Sequence, residues 1–388
     1  MLTIMDPLKK YRRQFRTWHN DRRLQREQEL YEQRFAAHRL VLPDEEAVRR
    51  HIREKFPLLK PKKKGSLQIL AVYHHYNWEN ESLRPSLEKF GPVRHYDWCD
   101  RFNHQQEQEW HRSVKEAMNR DLLDWAAKQA SQCPVDAVFT YLSGELISPE
   151  TARQLSRLDI PMINLALNDK EHFVGKIRNG LSMGNRDICR WFTLSWTSTE
   201  DALKKYCVEG AVPLYLPEGA NPEIHRPCDL EKTIPVSFVG QCYGNRPEII
   251  ARLQEAGIHV EAYGAGWPNG PLSTEDMVRL YSKSRINLGF GGVIGFSDAY
   301  CLKGRDFEIP MSGGLYLTEN HPELERVYEI GKEIVSYADF EDLVKKIRYL
   351  LGNPEEAERI RQRGFARARR DHSWEMRFEK IFNMVGLI

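Results

Sequence analysis

No stretch of the sequence approaches the roughly 20 apolar residues that span a bilayer, and its opening residues turn Arg-rich and polar before any signal-like apolar core forms. Neither a membrane-spanning nor a secreted protein is expected; the expected location is cytoplasmic, with attachment to the inner face of a membrane as the alternative. Cysteine is sparse and scattered, at positions 99, 133, 189, 207, 228, 242 and 301, with no Cys-x-x-Cys pair. An odd number without ligand spacing argues against a disulfide framework and against a zinc or redox motif, so reduced thiols and no metal site are expected. A complete Gly-x-Gly-x-x-Gly fingerprint and a Walker loop are missing as well.

What is present is the composition of a folded chain of about two domains: 388 residues, 41% hydrophobic and 29% charged. The net charge of +2 conceals an asymmetry, because residues 1–64 carry 18 Lys and Arg against 9 Asp and Glu. Residues 7–40 are helix-forming, with Tyr11, Phe15, Trp18, Leu24, Tyr31 and Phe35 placed roughly on one face. The body of the same protein is expected to cover that stripe, with a second subunit or a membrane surface as alternatives; no nucleic-acid partner is expected. A short helix over 45–56 and a basic loop over 60–65 follow.

From residue 67 the pattern changes to short β-rich runs, at 67–73, 93–98, 136–141, 162–167, 190–196 and 212–216. Helical segments separate them, at 82–90, 107–130, 149–158 and 199–207. Strands alternating with helices imply βαβ units and a parallel sheet covered on both faces. The alternation restarts after 217–227, with strands at 236–239, 259–263, 286–290, 314–318 and 334–336 and helices at 246–256, 274–282, 302–311, 340–351, 354–370 and 374–384. The fold class is thus α/β, with two Rossmann-like domains facing across a cleft and an N-terminal helical extension. Ligands in open α/β sheets bind at the carboxyl ends of the strands, so candidate site residues are sought there.

Three stretches of the second half meet that condition. In 302–319, LKGRDFEIPMSGGLYLTE, Lys303 and Arg305 bring two cations to the start of a helix whose free N–H groups already favour an anion, a combination suited to a diphosphate. Glu308 lies one turn beyond Arg305 and can accept from ribose hydroxyls; Gly313 and Gly314 allow a tight turn into the next strand. In 238–246, FVGQCYGNR, a strand ends at Gly240, and Gly244, Asn245 and Arg246 lead into a helix. In 263–267, YGAGW, Tyr263, Gly264, Gly266 and Trp267 leave backbone exposed to a flat group such as a nucleobase. In the first half the strand-end acids and bases are His74, His75, Glu79, Glu81, Glu145 in the SGEL turn, and Asp169.

The run over 236–337, with SFVG, GNR, YGAGW, LYSKSRINLGF and KGRDFEIPMSGGLYLTE, resembles the glycosyltransferases of the GT-B fold, in particular the CgeB-like group with a "glycosyl transferases group 1" C-terminal domain. LPEGANPEIHRP resembles the segment leading into that domain. The resemblance implies a hexosyltransferase-like enzyme that takes a nucleotide-diphosphate sugar, a UDP-sugar for example, as donor substrate, with no cofactor and no metal. After the basic helical extension over 1–64, it implies an acceptor domain over 65–216, a donor domain over 217–370, and a helix over 371–388 crossing back to the acceptor domain. Lys303 and Arg305 would face the diphosphate, Glu308 the ribose, Tyr263–Gly266 the base, and the Gly240 loop would lie beside the phosphates. In the Glu-x7-Glu pattern of the retaining members Glu308 would be the second glutamate, and the first position holds Tyr300; Asp298 is close but displaced. The stereochemistry therefore stays open, and an inverting reaction would need a base on a hydroxyl acceptor, for which Asp169 and Glu145 lead His74 and His75. A nucleotide-sugar epimerase on the same fold and a catalytically decayed binding or scaffold protein are the alternative readings.

Overall fold

The computed structural model describes residues 7–76 and 78–388, with the side chains of 7–10, 13 and 107 set aside. The chain forms two compact units. One consists of Glu218–Trp374 together with the chain up to Gln25, the other of Arg26–Pro217 with Glu375–Ile388.

In the Arg26–Pro217 unit the strands are β1 (Ile69–Val72), β2 (Val93–Tyr96), β3 (Ala137–Thr140), β4 (Met162–Ala166), β5 (Ile177–Arg178), β6 (Leu181–Ser182), β7 (Leu194–Thr197) and β8 (Pro213–Tyr215). Six of them make a parallel sheet in the order β2-β1-β3-β4-β7-β8. β1, β3, β4 and β7 are buried along their whole length, as the central strands of a doubly covered parallel sheet should be. The helix Trp374–Val385 contributes to this core: Phe378 packs against Phe139 and Trp196, with ring centroids 5.3 and 5.8 Å away, and Phe382 against Phe90 at 5.0 Å. Lys64 and Lys89 both pair with Glu375 at its start.

The other unit contains β9 (Ile234–Val239), β10 (Glu261–Tyr263), β11 (Ser284–Leu288), β12 (Tyr316–Glu319) and β13 (Val335–Tyr337), all parallel in the order β10-β9-β11-β12-β13. Its helices start where side chains can cap them: Ser273 accepts from the Asp276 amide before Thr274–Lys283, and Asp339 from the Asp342 amide before Phe340–Gly352.

Two sequence expectations are corrected and one element is added. β9 and β11 each begin two residues earlier than the apolar pattern indicates, because Ser284 donates to Ser237 (2.7 Å) and Ser237 to Asn287 (3.1 Å), a buried polar ladder invisible to hydrophobicity. The expected strand at 190–196 splits into a helical turn, Cys189–Trp191, and β7. The hairpin β5–β6 went unread although Asn179-Gly180, both at positive φ (51° and 79°), is the pair that a tight two-residue turn favours.

The aromatic stripe of the first helix, Pro7–Ala37, is not one stripe. At about 100° per residue, Tyr11, Phe15 and Trp18 share one face, while Leu24, Tyr31 and Phe35 lie roughly 200° around the helix. Tyr31 is buried, its hydroxyl donating to Glu209 at 2.8 Å, whereas Tyr11, Phe15 and Trp18 are exposed.

Candidate functional site

Both main sheets reverse their strand order beside their first strand, between β1 and β3 in one unit and between β9 and β11 in the other. The loops leaving those strands splay apart there and make the crevice in which open α/β sheets bind ligands. In the Glu218–Trp374 unit the loops are 240–245 after β9 and 289–292 after β11, and three cations converge on them.

Arg246 opens the helix Arg246–Glu255 and is only 3% exposed; it packs over the rings of Tyr243 and Phe238, at 4.4 and 5.4 Å, and donates to Gln241 O at 3.1 Å. Lys303 Nζ donates to Phe290 O and Gly292 O, at 3.1 and 2.9 Å. Arg305, on the helix Gly304–Met311, lies 5.6 Å over Phe238, and its buried Nη1 has no hydrogen-bond partner among the described residues. Burial is the largest cause that lowers the pKa of Arg246 and Lys303, and the neighbouring cations, Arg305 beside both, lower them further. Gly240 (φ 156°) gives this cluster room: a Cβ there would stand 2.8 Å from Arg305 Nη2 and 2.8 Å from the Phe238 ring. Cations, a glycine and a helix N-terminus together suit a polyanionic ligand such as a diphosphate.

Two carboxylates flank the cations. Glu308 Oε1 and Glu218 Oε2 lie 3.1 and 3.4 Å from where a Cβ on Gly304 would stand, and Glu308 is 3.9 Å from the buried His225 Nε2. Burial, followed by the charges of Glu308 and Asp306, pushes the Glu218 carboxyl up to about 8, so at neutral pH it holds a proton and can donate it in a hydrogen bond. Sequence reasoning missed Glu218 because it sits in a segment read as a linker. It also missed Glu319, whose Oε2 accepts from the Gly292 amide at 2.8 Å. Tyr300, where the first glutamate of a Glu-x7-Glu pair would stand, stacks on His321, with centroids 5.7 Å apart, and Asp298 is exposed.

The structure brings some of the remaining candidates to this place and not others. The 240–245 and 263–270 loops are knitted together: the Gly240 amide donates to Tyr263 O (2.9 Å), Cys242 to Ala265 O (2.8 Å), and Trp267 Nε1 to Gly240 O (2.8 Å). Gly264 is forced by this closeness, since a Cβ there would lie 2.3 Å from Gly240 O. Gly266 is exposed, and Tyr263 turns its hydroxyl to Glu261 at 3.1 Å. Much of the backbone expected to face a nucleobase is thus spent joining the loops. Asn245 lines a cavity of about 300 Å³ with Gly244, Gly292, Tyr300, Glu319 and, from the first helix, Arg16 and Asn20. Gly313 stands at the far end of the Gly304–Met311 helix, about 12 Å from its start, against Pro227 and Arg361, where it serves packing rather than the cation cluster.

In the Arg26–Pro217 unit a pocket of about 630 Å³ opens beyond β3 and β4, and Tyr76, His104, Glu145, Asn168, Asp169 and His172 are among its walls. Glu145 is positioned by a turn whose Gly144 and Glu145 amides bond to Gly184 O and Met183 O, at 2.7 and 2.8 Å; its carboxylate is part-exposed and 2.7 Å from His111 Nε2. Asp169 also reaches this wall, but it is 1% exposed and its two oxygens accept from Asn185 (2.8 Å) and Tyr206 (2.6 Å). Burial raises its pKa against those hydrogen bonds, and with both oxygens committed it fixes the wall and is poorly placed to take a proton from a ligand. His74 lies behind the pocket, against Tyr76 and His104 at ring distances of 4.6 and 5.3 Å, and its Nδ1 meets Asp97 at 2.9 Å. Burial would raise the Asp97 carboxyl, yet hydrogen bonds from the His75 and Cys99 amides and from His74 outweigh it and hold it low. His75 faces Glu79, 3.5 Å away; Glu79 is buried and accepts from the Tyr76 amide at 2.9 Å, and Glu81 is exposed.

His74, Asp97 and Cys99 each offer one donor atom within 4.8 Å of the others, the one such set among the described residues that could hold a metal ion. His74 and Asp97 are already bonded to each other, and burial followed by the Asp97 charge pushes the Cys99 thiol up to about 11, which keeps it protonated and a poor ligand.

Residues 246–383 match the model of a protein family described as glycosyl transferase-like. No curated protein sequence matches the chain. Among solved structures, sucrose-phosphate synthase from Thermosynechococcus elongatus is similar with a TM-score of 0.60 and 11% identity, over 82% of this chain and 99% of that one. A glycosyltransferase from Rickettsia africae gives 0.57 and 12%, over 82% and 98%. Anabaena HepE, solved with UDP-glucose, gives 0.56 and 9%, over 82% and 99%. Identities this low speak for the fold, which is α/β of the GT-B type, with two Rossmann-like units, an N-terminal helix and a glycosyl transferase-like match over 246–383.

Proposed function

We propose that the protein is a glycosyltransferase that moves a sugar from a nucleoside-diphosphate donor to a hydroxyl acceptor, the donor being held by the Glu218–Trp374 unit and the acceptor by the 630 Å³ pocket of the other unit. The observation that carries the reading is the convergence of three cations at Gly240: Arg246, Lys303 and Arg305, the last with a buried nitrogen that has no partner among the described residues. A diphosphate supplies the missing acceptor and a charge opposite to that of the three cations. As the glycosidic bond to the donor breaks, negative charge grows on the diphosphate, and fixed cations stabilise that state more than the ground state. Protonated Glu218 gives this site a donor, and the Glu308 carboxyl beside it an acceptor, for the ribose or sugar hydroxyls.

On the acceptor side we assign Glu145 as the base that takes the proton of the attacking hydroxyl. Of the strand-end candidates His74, His75, Glu79, Glu81, Glu145 and Asp169, it alone combines a place in the pocket wall, partial exposure and a positioning partner, His111. The motif run over 236–337 places the chain near the CgeB-like group in our reading. UDP is the first nucleotide to test, because HepE and an α-glucosyltransferase of similar fold were solved with UDP or UDP-glucose. Melting curves with UDP, UDP-glucose and the other nucleoside diphosphates should show stabilisation by a diphosphate and none by the nucleoside alone. Indifference to every diphosphate would sink the reading.

A further inference from the structure

The first helix faces the wrong way for one that only covers its own body. Its half-buried face is polar: Asn20 donates to Gly295 O at 3.0 Å, and the Ser297 amide and hydroxyl donate to the Asp21 carboxylate at 3.0 and 2.7 Å. The face pointing away carries Tyr11, Phe15 and Trp18, at 67%, 58% and 54% exposure, spaced so that they stand above one another along the helix. Phe15 and Trp18 lie 6.0 Å apart ring to ring, and the Arg22 guanidinium sits 5.3 Å over Trp18. Exposed apolar side chains are ordinary singly; three aromatics aligned on one helix face, with the polar face spent on docking, are not.

Charge says what covers them. Residues 7–23 contain seven Lys and Arg and one acid, Asp21, which is already engaged by Ser297. A second copy of the same face would bring like charges together, whereas an anionic bilayer complements both features: phosphate head groups meet the cations, and Trp and Tyr rings settle at the boundary between head groups and acyl chains. No helix among the described residues is long and apolar enough to cross a membrane, so the contact is one of lying on the surface.

We propose that the Tyr11–Phe15–Trp18 face docks the protein on an anionic membrane surface. The proposal is independent of the donor reading and fails or stands by itself. The full chain should co-sediment with vesicles of equal parts phosphatidylglycerol and phosphatidylcholine at least about tenfold more strongly than with phosphatidylcholine alone, less so as salt rises. Replacing Tyr11, Phe15 and Trp18 together by Ser should abolish binding with the melting temperature unchanged. Arg12→Gln, Arg22→Gln and Arg23→Gln should each weaken it, by up to about fivefold per charge. Equal binding to both vesicle types, or a serine variant that binds like the wild type, overturns the proposal. So does a wild-type dimer in sedimentation that the serine variant dissociates.

Discussion

Around Gly240 the protein gathers Arg246, Lys303 and Arg305 and leaves one guanidinium nitrogen without a partner among the described residues, whereas around Glu145 it has already matched its charged groups to one another. His111 meets Glu145, Asp97 meets His74, and Asn185 and Tyr206 hold Asp169. The first site leaves a buried donor for a group from outside to meet. The second is complete and offers shape and a proton acceptor instead. An unfinished charge pattern identifies the class of its ligand; a finished one identifies little beyond which residues are free to move a proton. The difference explains why the donor is easier to name than the acceptor.

The comparison can be broken at several points. Largest is the loss expected for Glu145→Gln: if Glu145 is the base, kcat should fall about 100- to 10,000-fold in a sugar-transfer assay with KM little changed. Asp169→Asn should instead lower the melting temperature and spare the turnover of the folded enzyme. The reverse pattern would exchange the two roles.

Smaller, and confined to stability, is the effect at Glu218. Its carboxyl is raised to about 8, first by burial and then by Glu308 and Asp306, against about 4.3 in an unfolded chain. The stability linked to its proton is complete below about pH 4.3 and is lost as pH rises through about 8. Glu218→Gln should flatten that decline and leave the ligand-free protein more stable than the wild type at pH 9, by on the order of a few kcal/mol. Melting curves taken between pH 5 and about 9 check it, and parallel curves for the two proteins would remove the buried proton from the account.

How much of this the sequence disclosed depended on which physical signal carried it. The strands of both sheets were legible because buried parallel strands are unbroken apolar runs, and their ends failed where serines hydrogen-bond inside the core, at Ser237 and Ser284. Lys303, Arg305 and Arg246 could be picked out as cations at a helix start after a strand, and the fold adds that they converge on the 240–245 and 289–292 loops. Glu218 was not, because its importance comes from Glu308 and Asp306 brought beside it by folding. The partners of Asp169 were hidden for the same reason: that Tyr206 and Asn185 occupy its oxygens is a fact of the tertiary structure alone. The first helix misled because a periodicity loosely followed over thirty-one residues merged two faces that point in different directions.

The central claim is that the cation cluster at Gly240 exists to hold a diphosphate. Calorimetric titration of UDP into the wild type and into Arg305→Ala tests it most directly. Loss of a charge-assisted hydrogen bond worth about 1.5–3 kcal/mol predicts binding weakened roughly 10- to 100-fold with the melting temperature of the ligand-free protein preserved. An Arg305→Ala protein that stays folded and binds UDP as tightly as the wild type would contradict it.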